Sequence, residues 1–296
     1  RFERLPDGPP LFVIPTELVP DKGVRLSEMV HELALRRPQS AEFLAWLAAR
    51  VTFCSSLVDR ITTGAPPAER RTTLETRLGY ADGLLTATEP YHFWAVAADP
   101  GALRPAFPID GESSTGGVLF APDISFHETR KLRLLNGTHT ALAPLALLAG
   151  VRTVREAVEH PRLGALLRRV LFEEIIPATD LPAGAAEKFG RSVVERFRNP
   201  WLEHEWRVIA TNQTAKLRVR VVPSILAYVQ RRGRAPEGLT LCVAAYLRWA
   251  ESKPAGDPDL PRVEEIPAVR DATTRWLQVL ESDGVDAAVD RVLSCT

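Results

Sequence analysis

Three polar side chains interrupt an apolar stretch of the sequence, KLRLLNGTHTALAPLALLAG. Lys131 is followed after five positions by Asn136 and after three more by His139. An amine can give or take a proton, whereas an amide and an imidazole can donate hydrogen bonds to an oxygen that becomes negatively charged during a reaction. Held together beside apolar walls, the three groups would suit a substrate with a carbonyl or a hydroxyl group.

The same residues also have ordinary structural explanations. Asn136-Gly137 is a common way to stop a helix, so the stretch predicts one helix, a break at these two residues and a second helix. Lys131 then lies near the end of the first helix and His139 in the first turn of the next. From the residues alone, a solvated lysine and a hydrogen-bonded core histidine remain alternatives to a catalytic site.

Lysine is scarce in this chain. Five of the 37 basic residues are lysines, namely Lys22, Lys131, Lys188, Lys216 and Lys253. Codon bias explains such scarcity, but a lysine retained under that bias is a candidate for proton transfer, because an arginine does not give up its proton near neutral pH.

The overall composition excludes several classes of protein. The 296 residues carry 37 basic and 37 acidic side chains, so no net field attracts nucleic acid or anionic lipid. The longest apolar run, at 141–150, is too short to span a bilayer. Three scattered cysteines form no disulfide framework and predict a cytoplasmic protein. The six histidines lie in no metal-binding motif, so no metal is expected.

The pattern of elements changes near residue 125. Residues 11–19, 91–99 and 116–125 have the composition of strands, and Ser40 is a suitable N-cap for an amphipathic helix, while 65–73 predict a loop. From residue 126 onward the apolar spacing is almost continuously helical. The sequence thus predicts two domains, 1–125 with the strands and 126–296 all helical.

The stretch from Lys131 resembles the signature of the mannitol dehydrogenase family of long-chain, polyol-type dehydrogenases. LVDRI at 57–61 and EPYHFWAVA at 89–97 resemble two further elements of that family, in the family's order. The long block ERFRNPWLEHEWRVIATNQTAKLRVRVVPSI resembles one branch, the tagaturonate reductases or altronate oxidoreductases. Their co-occurrence is more specific than any one motif.

One short element separates the branches. Mannitol-type and fructuronate-type members have Cys-Asp-Asn where this chain has Thr16, Glu17 and Leu18. In those members the asparagine helps to hold the reacting oxygen, which Leu18 cannot do. The tagaturonate branch has Glu-Leu here, preceded by a cysteine that is Thr16 in this chain.

The resemblance implies a mainly helical fold. It places a helical C-terminal domain, similar to that of 6-phosphogluconate dehydrogenases, after the last strands and helices of a Rossmann α/β domain. The family uses a nicotinamide cofactor, but GxGxxG is missing from residues 1–296. We therefore expect the main NAD site upstream of Arg1, and NADP is not distinguished from NAD.

The resemblance also assigns roles to residues. Lys131 matches the proton donor and acceptor, and Asn136 and His139 match the residues that hold the substrate oxygens. Asp59 matches an acidic residue near that lysine, with a salt bridge or helix cap as its alternative.

The remaining matches concern substrate binding. Lys216 matches a basic residue that contacts substrate, for which Arg218 and Arg220 compete, and a cation there would suit a uronate carboxylate. His204 and Asn212 are further substrate candidates.

These assignments imply an NAD-dependent oxidoreductase that interconverts a keto-uronate, tagaturonate, and a hexonate, altronate. Fructuronate reductase and a mannitol or polyol dehydrogenase are the alternative enzymes, and a non-catalytic helical interaction module is the alternative of another class. The expected partner is a small sugar acid, and the oligomeric state stays open.

Overall fold

A computed structural model describes residues 2–17, 19–107, 112–113 (backbone only), 116–251 and 265–295. Leu18, which the sequence singles out as a branch marker, lies outside the described residues.

The strands of the described chain all precede residue 122. They are β1 (Leu11–Val13), β2 (Val51–Phe53), β3 (Ser56–Asp59), β4 (Thr62–Gly64), β5 (Ala87–Thr88), β6 (His92–Ala97), β7 (Glu112–Ser113) and β8 (Gly116–Ala121).

The helices occupy most of the rest. They are α1 (Lys22–Arg36), α2 (Ala41–Arg50), α3 (Ala68–Leu78), α4 (Pro100–Leu103), α5 (Ser125–Arg130), α6 (Thr138–Leu148), α7 (Val154–Glu159), α8 (Pro161–Arg169), α9 (Ala183–Phe197), α10 (Trp206–Ile209), α11 (Gln213–Arg220), α12 (Val222–Arg232), α13 (Glu237–Glu251), α14 (Pro267–Ser282) and α15 (Gly284–Ser294). Lys131–Gly137 and Val170–Ile175 are π-helical, and Ile176–Ala178 is a 3₁₀ turn.

The mainly helical fold predicted from the sequence is confirmed. In the part of the chain that the structure describes after residue 125, extended pairing is limited to one bridge between Thr153 and Glu205. Ser40 caps α2 as predicted, with its hydroxyl accepting from the Phe43 amide at 3.1 Å.

One detail of the predicted elements is wrong. Residues 65–73 were expected to be a loop, but Ala68 begins helix α3 with Pro67 at its N-cap, because most of the residues that follow favour a helix.

The chain forms two compact units. Unit 1 comprises 1–61 and 90–128, and unit 2 comprises 62–89 and 129–296. Unit 2 therefore contains a short N-terminal segment in addition to the helical part. The two-domain division at residue 125 stays a prediction.

Unit 1 contains a four-stranded sheet in the order β3-β6-β8-β7, in which β6 and β8 are parallel. A separate parallel pair joins β1 to β2. Gly116 begins β8 at φ +135°, and a Cβ there would lie 1.4 Å from the backbone oxygen of His92. The close approach of the two strands thus requires glycine at this position.

Unit 2 is built around α6. Residues 138–146 of this helix are buried, and α6 packs against α10, α11 and α13. A helix that is apolar on all sides has to lie inside a helical cluster. The burial of α6 therefore explains the apolar sequence after His139. The helix that follows the candidate residues is therefore a rigid support for them.

In the described parts of the chain, no helix is both long and apolar enough to cross a membrane.

Candidate active site

The backbone that carries the candidate residues is one uninterrupted helix. The predicted break at Asn136-Gly137 is wrong, because Gly137 has right-handed helical angles, φ −62° and ψ −49°. The π-helical segment Lys131–Gly137 follows α5 and continues into α6. Its wider i→i+5 turns absorb the residues that were expected to end the helix, and π-bulges of this kind are frequent at functional sites.

Gly137 serves a close contact and not a helix stop. A Cβ at this position would lie 3.3 Å from the backbone oxygen of Arg220, at the end of α11. Glycine therefore allows the backbones of two helices to approach each other.

The spacing places the three polar groups on one face. Asn136 lies one wide π turn after Lys131, and His139 lies one α turn after Asn136. Asn136 and His139 are buried, at 9% and 5% exposure, and Lys131 is half-buried. The positive charge of Lys131 also contributes to the environment of His139. The geometry thus groups the predicted proton donor with the two predicted oxygen ligands.

His139 lies in an aromatic cage. Its ring stacks on Phe197 with 3.9 Å between centroids and 14° between planes, and the rings of His204 and Trp206 meet it edge-on at 4.8 and 6.2 Å. Among the described residues, nothing accepts from or donates to its Nε2 atom. The cage fixes the orientation of the ring and leaves one ring nitrogen without a protein partner.

The imidazole of His139 is uncharged at neutral pH. Burial lowers the pKa of His139 well below its usual 6.5, and the nearby His204, Arg196, Arg220 and Lys131 lower it further. A neutral imidazole has one donor and one acceptor nitrogen. It can therefore hold a substrate oxygen without adding a charge of its own.

His204 adjoins both His139 and a small cavity. Burial lowers the pKa of His204 to about 4, so this ring is also neutral. The cavity has a volume of about 260 Å³ and is lined by residues of unit 2, among them Thr62, Glu203, His204 and Arg207. The structure thus places the ring of His204 against the ring of His139. A substrate residue of the same site would have to lie in such a position.

Lys216 lies on α11, and Asn212 is the residue at the start of this helix. The Lys216 ammonium donates to the backbone oxygen of Ile209 at 2.8 Å, and burial followed by the charge of Arg220 lowers its pKa. Asn212 is exposed and has a left-handed backbone, φ 55°, and its backbone oxygen accepts from the Lys216 amide at 3.1 Å. The described contacts of Asn212 are thus those of a residue that starts a helix.

Two arginines beside α6 complete the polar surroundings. Arg220 donates to the Thr140 hydroxyl at 3.3 Å, and Arg133 donates to the backbone oxygens of Val219 and Arg220 at 3.0 and 3.4 Å. Burial lowers the pKa of both guanidinium groups. From the sequence, Arg220 was expected only as a competitor of Lys216.

A buried ion pair in unit 2 was not predicted from the sequence. Glu89 and Arg196 are 2% and 9% exposed and share three hydrogen bonds of 2.7 to 3.2 Å. Arg196 precedes Phe197, the residue on which His139 stacks. Both residues lie in motifs that carry the family resemblance, but their separation of 107 positions hides the pairing.

Asp59 belongs to a different compact unit from these residues. It ends β3 in unit 1 and is 2% exposed, while Lys131, Asn136, His139, Lys216 and His204 all belong to unit 2. Among the described residues, no three His, Cys, Asp or Glu side chains converge as metal ligands.

Two family models match the chain. A model of the mannitol dehydrogenase Rossmann domain matches residues 2–107, and a model of the mannitol dehydrogenase C-terminal domain matches residues 123–288. The chain belongs to the mannitol dehydrogenase family, as the sequence resemblance predicts.

Altronate oxidoreductases are among the proteins that this chain is similar to. The chain is 39% identical over 245 residues to the altronate oxidoreductase of Enterobacter sp. (strain 638), covering 83% of this chain and 50% of that protein. It is 35% identical over 283 residues to the altronate oxidoreductase of Yersinia pestis bv. Antiqua (strain Nepal516), covering 95% of this chain and 58% of that protein. The chain thus spans little more than half the length of these relatives.

Two solved structures have the same fold. A substrate-free D-sorbitol dehydrogenase superposes with a TM-score of 0.77 at 21% identity, covering 95% of this chain and 63% of that one. The mannitol 2-dehydrogenase of Pseudomonas fluorescens, solved as a ternary complex with NAD and D-mannitol, gives 0.73 at 24% identity and covers 97% of this chain and 63% of that one. At these identities the likeness establishes the fold.

Proposed function

We propose that this chain belongs to an NAD-dependent oxidoreductase that interconverts a keto-uronate, tagaturonate, and a hexonate, altronate. The observation that carries the proposal is the grouping of Lys131, Asn136 and a buried, uncharged His139 on one face of a π-helical turn. Similarity to altronate oxidoreductases supports the choice of substrate.

The chemistry at the substrate carbon divides between a hydride and a proton. In reduction, a reduced nicotinamide cofactor would supply the hydride for the carbonyl carbon, and the protonated Lys131 gives its proton to the carbonyl oxygen, which becomes a hydroxyl group. In oxidation, the oxidised cofactor would accept the hydride, and the neutral amine takes the proton back. Asn136 and His139 hold the oxygen by hydrogen bonds that strengthen as it gains negative charge.

The residues of this chain do not fit a complete nicotinamide site. A GxGxxG turn between a strand and a helix, which would hold the pyrophosphate, is missing from residues 1–296. NAD is proposed because a family model of the Rossmann domain matches residues 2–107, and NADP is not distinguished from it.

The setting we propose is cytoplasmic, and the partner is a small sugar acid. The three cysteines of the described chain, Cys54, Cys242 and Cys295, are free thiols, which agrees with a reducing compartment.

Side-by-side assays with the full-length protein test the proposal. Consumption of NADH is followed with tagaturonate, fructuronate and fructose at equal concentrations. We expect the highest kcat/KM with tagaturonate. A preference for fructuronate would move the chain to the mannonate-forming reaction, whereas a preference for fructose would overturn the sugar-acid assignment.

A further inference from the structure

We propose that Arg220 binds the carboxylate of the sugar-acid substrate, a specificity role that the family resemblance gives first to Lys216. This inference rests on the proposed function, because it requires a substrate that carries both a keto group and a carboxylate.

The first argument is the missing counter-charge of Arg220. Its guanidinium is half-buried and its side chain donates to the Thr140 hydroxyl at 3.3 Å. Within the residues that the structure describes, no carboxylate lies within 4 Å of this guanidinium. Taking a cation out of water is costly unless an anion compensates it, so the site favours an anionic ligand.

Arg196 provides an internal comparison. It is also buried beside His139, but the Glu89 carboxylate neutralises it through three hydrogen bonds. Unit 2 can thus supply a buried carboxylate where an arginine serves structure alone. Arg220 has no such carboxylate among the described residues, which distinguishes a binding arginine from a structural one.

The second argument is position. Arg220 donates to Thr140, the residue after His139, and its backbone oxygen lies against Gly137. Its charge acts on both His139 and Lys216. Arg133 donates to the backbone oxygen of Arg220 and so holds the end of α11 in place. A substrate whose keto oxygen meets His139 would therefore have a fixed cation nearby for its acidic end.

The third argument is the state of Lys216. Its ammonium already donates to the backbone oxygen of Ile209 at 2.8 Å, where it joins α11 to the end of α10. A guanidinium is also the better match for a carboxylate, because its planar fork donates two parallel hydrogen bonds. These contacts make Lys216 a support of the site and leave Arg220 for the carboxylate.

The test compares two substrates in the full-length protein. One is tagaturonate and the other is the neutral ketose in which a hydroxymethyl group replaces the carboxylate. For R220M we expect KM for tagaturonate to rise about tenfold to a hundredfold, with kcat nearly unchanged, since a charge-assisted hydrogen bond is lost. For the neutral ketose we expect kcat/KM to change by less than about threefold.

Three variants serve as controls. R220Q keeps a donor for Thr140 but no charge, so it should behave like R220M and exclude a folding defect as the cause. R191M removes an exposed arginine of α9 that pairs with Glu187, and it should behave like the unmodified protein. K216M should affect both substrates to the same extent. Equal losses on both substrates in R220M and R220Q, or an unchanged KM for tagaturonate, would overturn the role of Arg220.

A binding measurement separates this inference from the proposed function. Titration calorimetry with altronate reports carboxylate binding whether or not the keto-uronate is reduced. Weaker binding in R220M and R220Q supports Arg220 even if the assay with tagaturonate fails. If the unmodified protein binds no altronate, or both variants bind it equally well, the assignment to Arg220 is wrong.

Discussion

At the residue scale, two groups on one helical face have opposite requirements. In the proposed mechanism Lys131 exchanges a proton during each turnover, whereas His139 stays uncharged. Burial, the stacked Phe197 ring and the surrounding cations keep the imidazole neutral. The cage therefore suits the proposed division, in which His139 is a hydrogen-bonding group and the more exposed lysine exchanges the proton.

Replacement of Lys131 tests this division. In the full-length protein, K131A should lower kcat by about 10²–10⁴-fold, the usual contribution of a general acid or base. K131R should not restore activity, because a guanidinium keeps its proton at neutral pH. Steady-state kinetics and NADH titration measure turnover and cofactor binding separately, and only turnover should change.

The matched control for this prediction is K188A. Lys188 is an exposed lysine of α9, so its loss should leave turnover unchanged. Activity of K131A or K131R close to that of K188A would remove Lys131 from the mechanism.

The protonation state of His139 can be observed directly. Because burial and its positive neighbours lower its pKa well below 6.5, its ring signals should not shift between pH 8 and pH 5.5. His204 should begin to titrate only as the pH approaches its pKa of about 4. Nitrogen-15 NMR of histidine-labelled protein measures both, and H139Q assigns the signal by removing it. A midpoint near 6.5 for His139 would contradict its burial in a cage.

At the element scale, a buried carboxylate caps the start of helix α13. Glu174, in the second π-helical segment, accepts from the backbone amides of Gly238 and Leu239, both at 2.7 Å. These amides have no partner within the helix, and a negative charge at this end is favoured by the helix dipole. Glu174 thus joins two helices that are more than sixty residues apart in the sequence.

Removal of this cap should destabilise unit 2. In E174Q one of the two amides faces an NH₂ group and loses its acceptor, which costs about 1–3 kcal/mol. Hydrogen exchange at Gly238 and Leu239 and the melting temperature measure the effect. The neighbouring E173Q is the control, because the Glu173 side chain is 67% exposed. Equal protection in the two variants would show that the cap is unimportant.

Glu174 should also make stability depend on pH. Burial raises its pKa from 4.5 to about 7 in the folded state, against the opposing effect of its two amide hydrogen bonds and of Arg169. The folded protein then holds this proton more tightly than the unfolded chain does. Its contribution to stability is complete below pH 4.5 and is lost as the pH rises through about 7, by up to about 1.4 kcal/mol per pH unit. Denaturation across this range should show the slope in the unmodified protein and a smaller one in E174Q.

The elements show what the sequence could predict. Helical periodicity and capping residues such as Ser40 are local signals, so the helices after residue 125 and the start of α2 were found. The dipeptide Asn136-Gly137 led to the wrong prediction of a helix break. The same dipeptide that stops helices also permits the close approach of the Arg220 backbone. The local pattern contains no information about that neighbouring backbone.

The site shows the same division. Lys131, Asn136 and His139 were predicted as site residues from a motif within nine residues, and their common face follows from helical spacing. Arg220 was not preferred to Lys216, because only the folded chain reveals that Lys216 donates to the backbone oxygen of Ile209 and Arg220 to the Thr140 hydroxyl. Pairings between distant segments, such as Glu89 with Arg196, leave no trace in local spacing.

At the scale of the whole molecule, unit 2 depends on a segment that is distant in sequence. Residues 62–89 join the helical part, and Glu89 at the end of this segment meets Arg196 at the end of α9. The pair is buried, so each partner needs the other to offset its removal from water.

Single and double substitutions should behave very differently at this pair. E89Q removes the negative charge that faces the buried Arg196 guanidinium, and we expect a loss of about 3–5 kcal/mol in the free energy of unfolding. The double variant E89L/R196M removes both charges and should recover most of this loss. Urea unfolding measures both.

The exposed pair Glu187 and Arg191 is the control for this comparison. E187Q should cost less than about 1 kcal/mol. An E89Q loss no larger than that of E187Q would mean that the buried pair contributes little.

The separation of Glu89 and Arg196 in the sequence also determines when each residue becomes available during synthesis. Arg196 follows Glu89 by 107 residues, and translation at roughly 5–20 residues per second separates their emergence from the ribosome by about 5–20 s. During this interval the segment 62–89 has no finished helical unit on which to pack. The nascent chain must therefore keep this segment hydrated or shielded by chaperones until α9 is complete, and a chain released before Arg196 would leave the segment permanently without its partner.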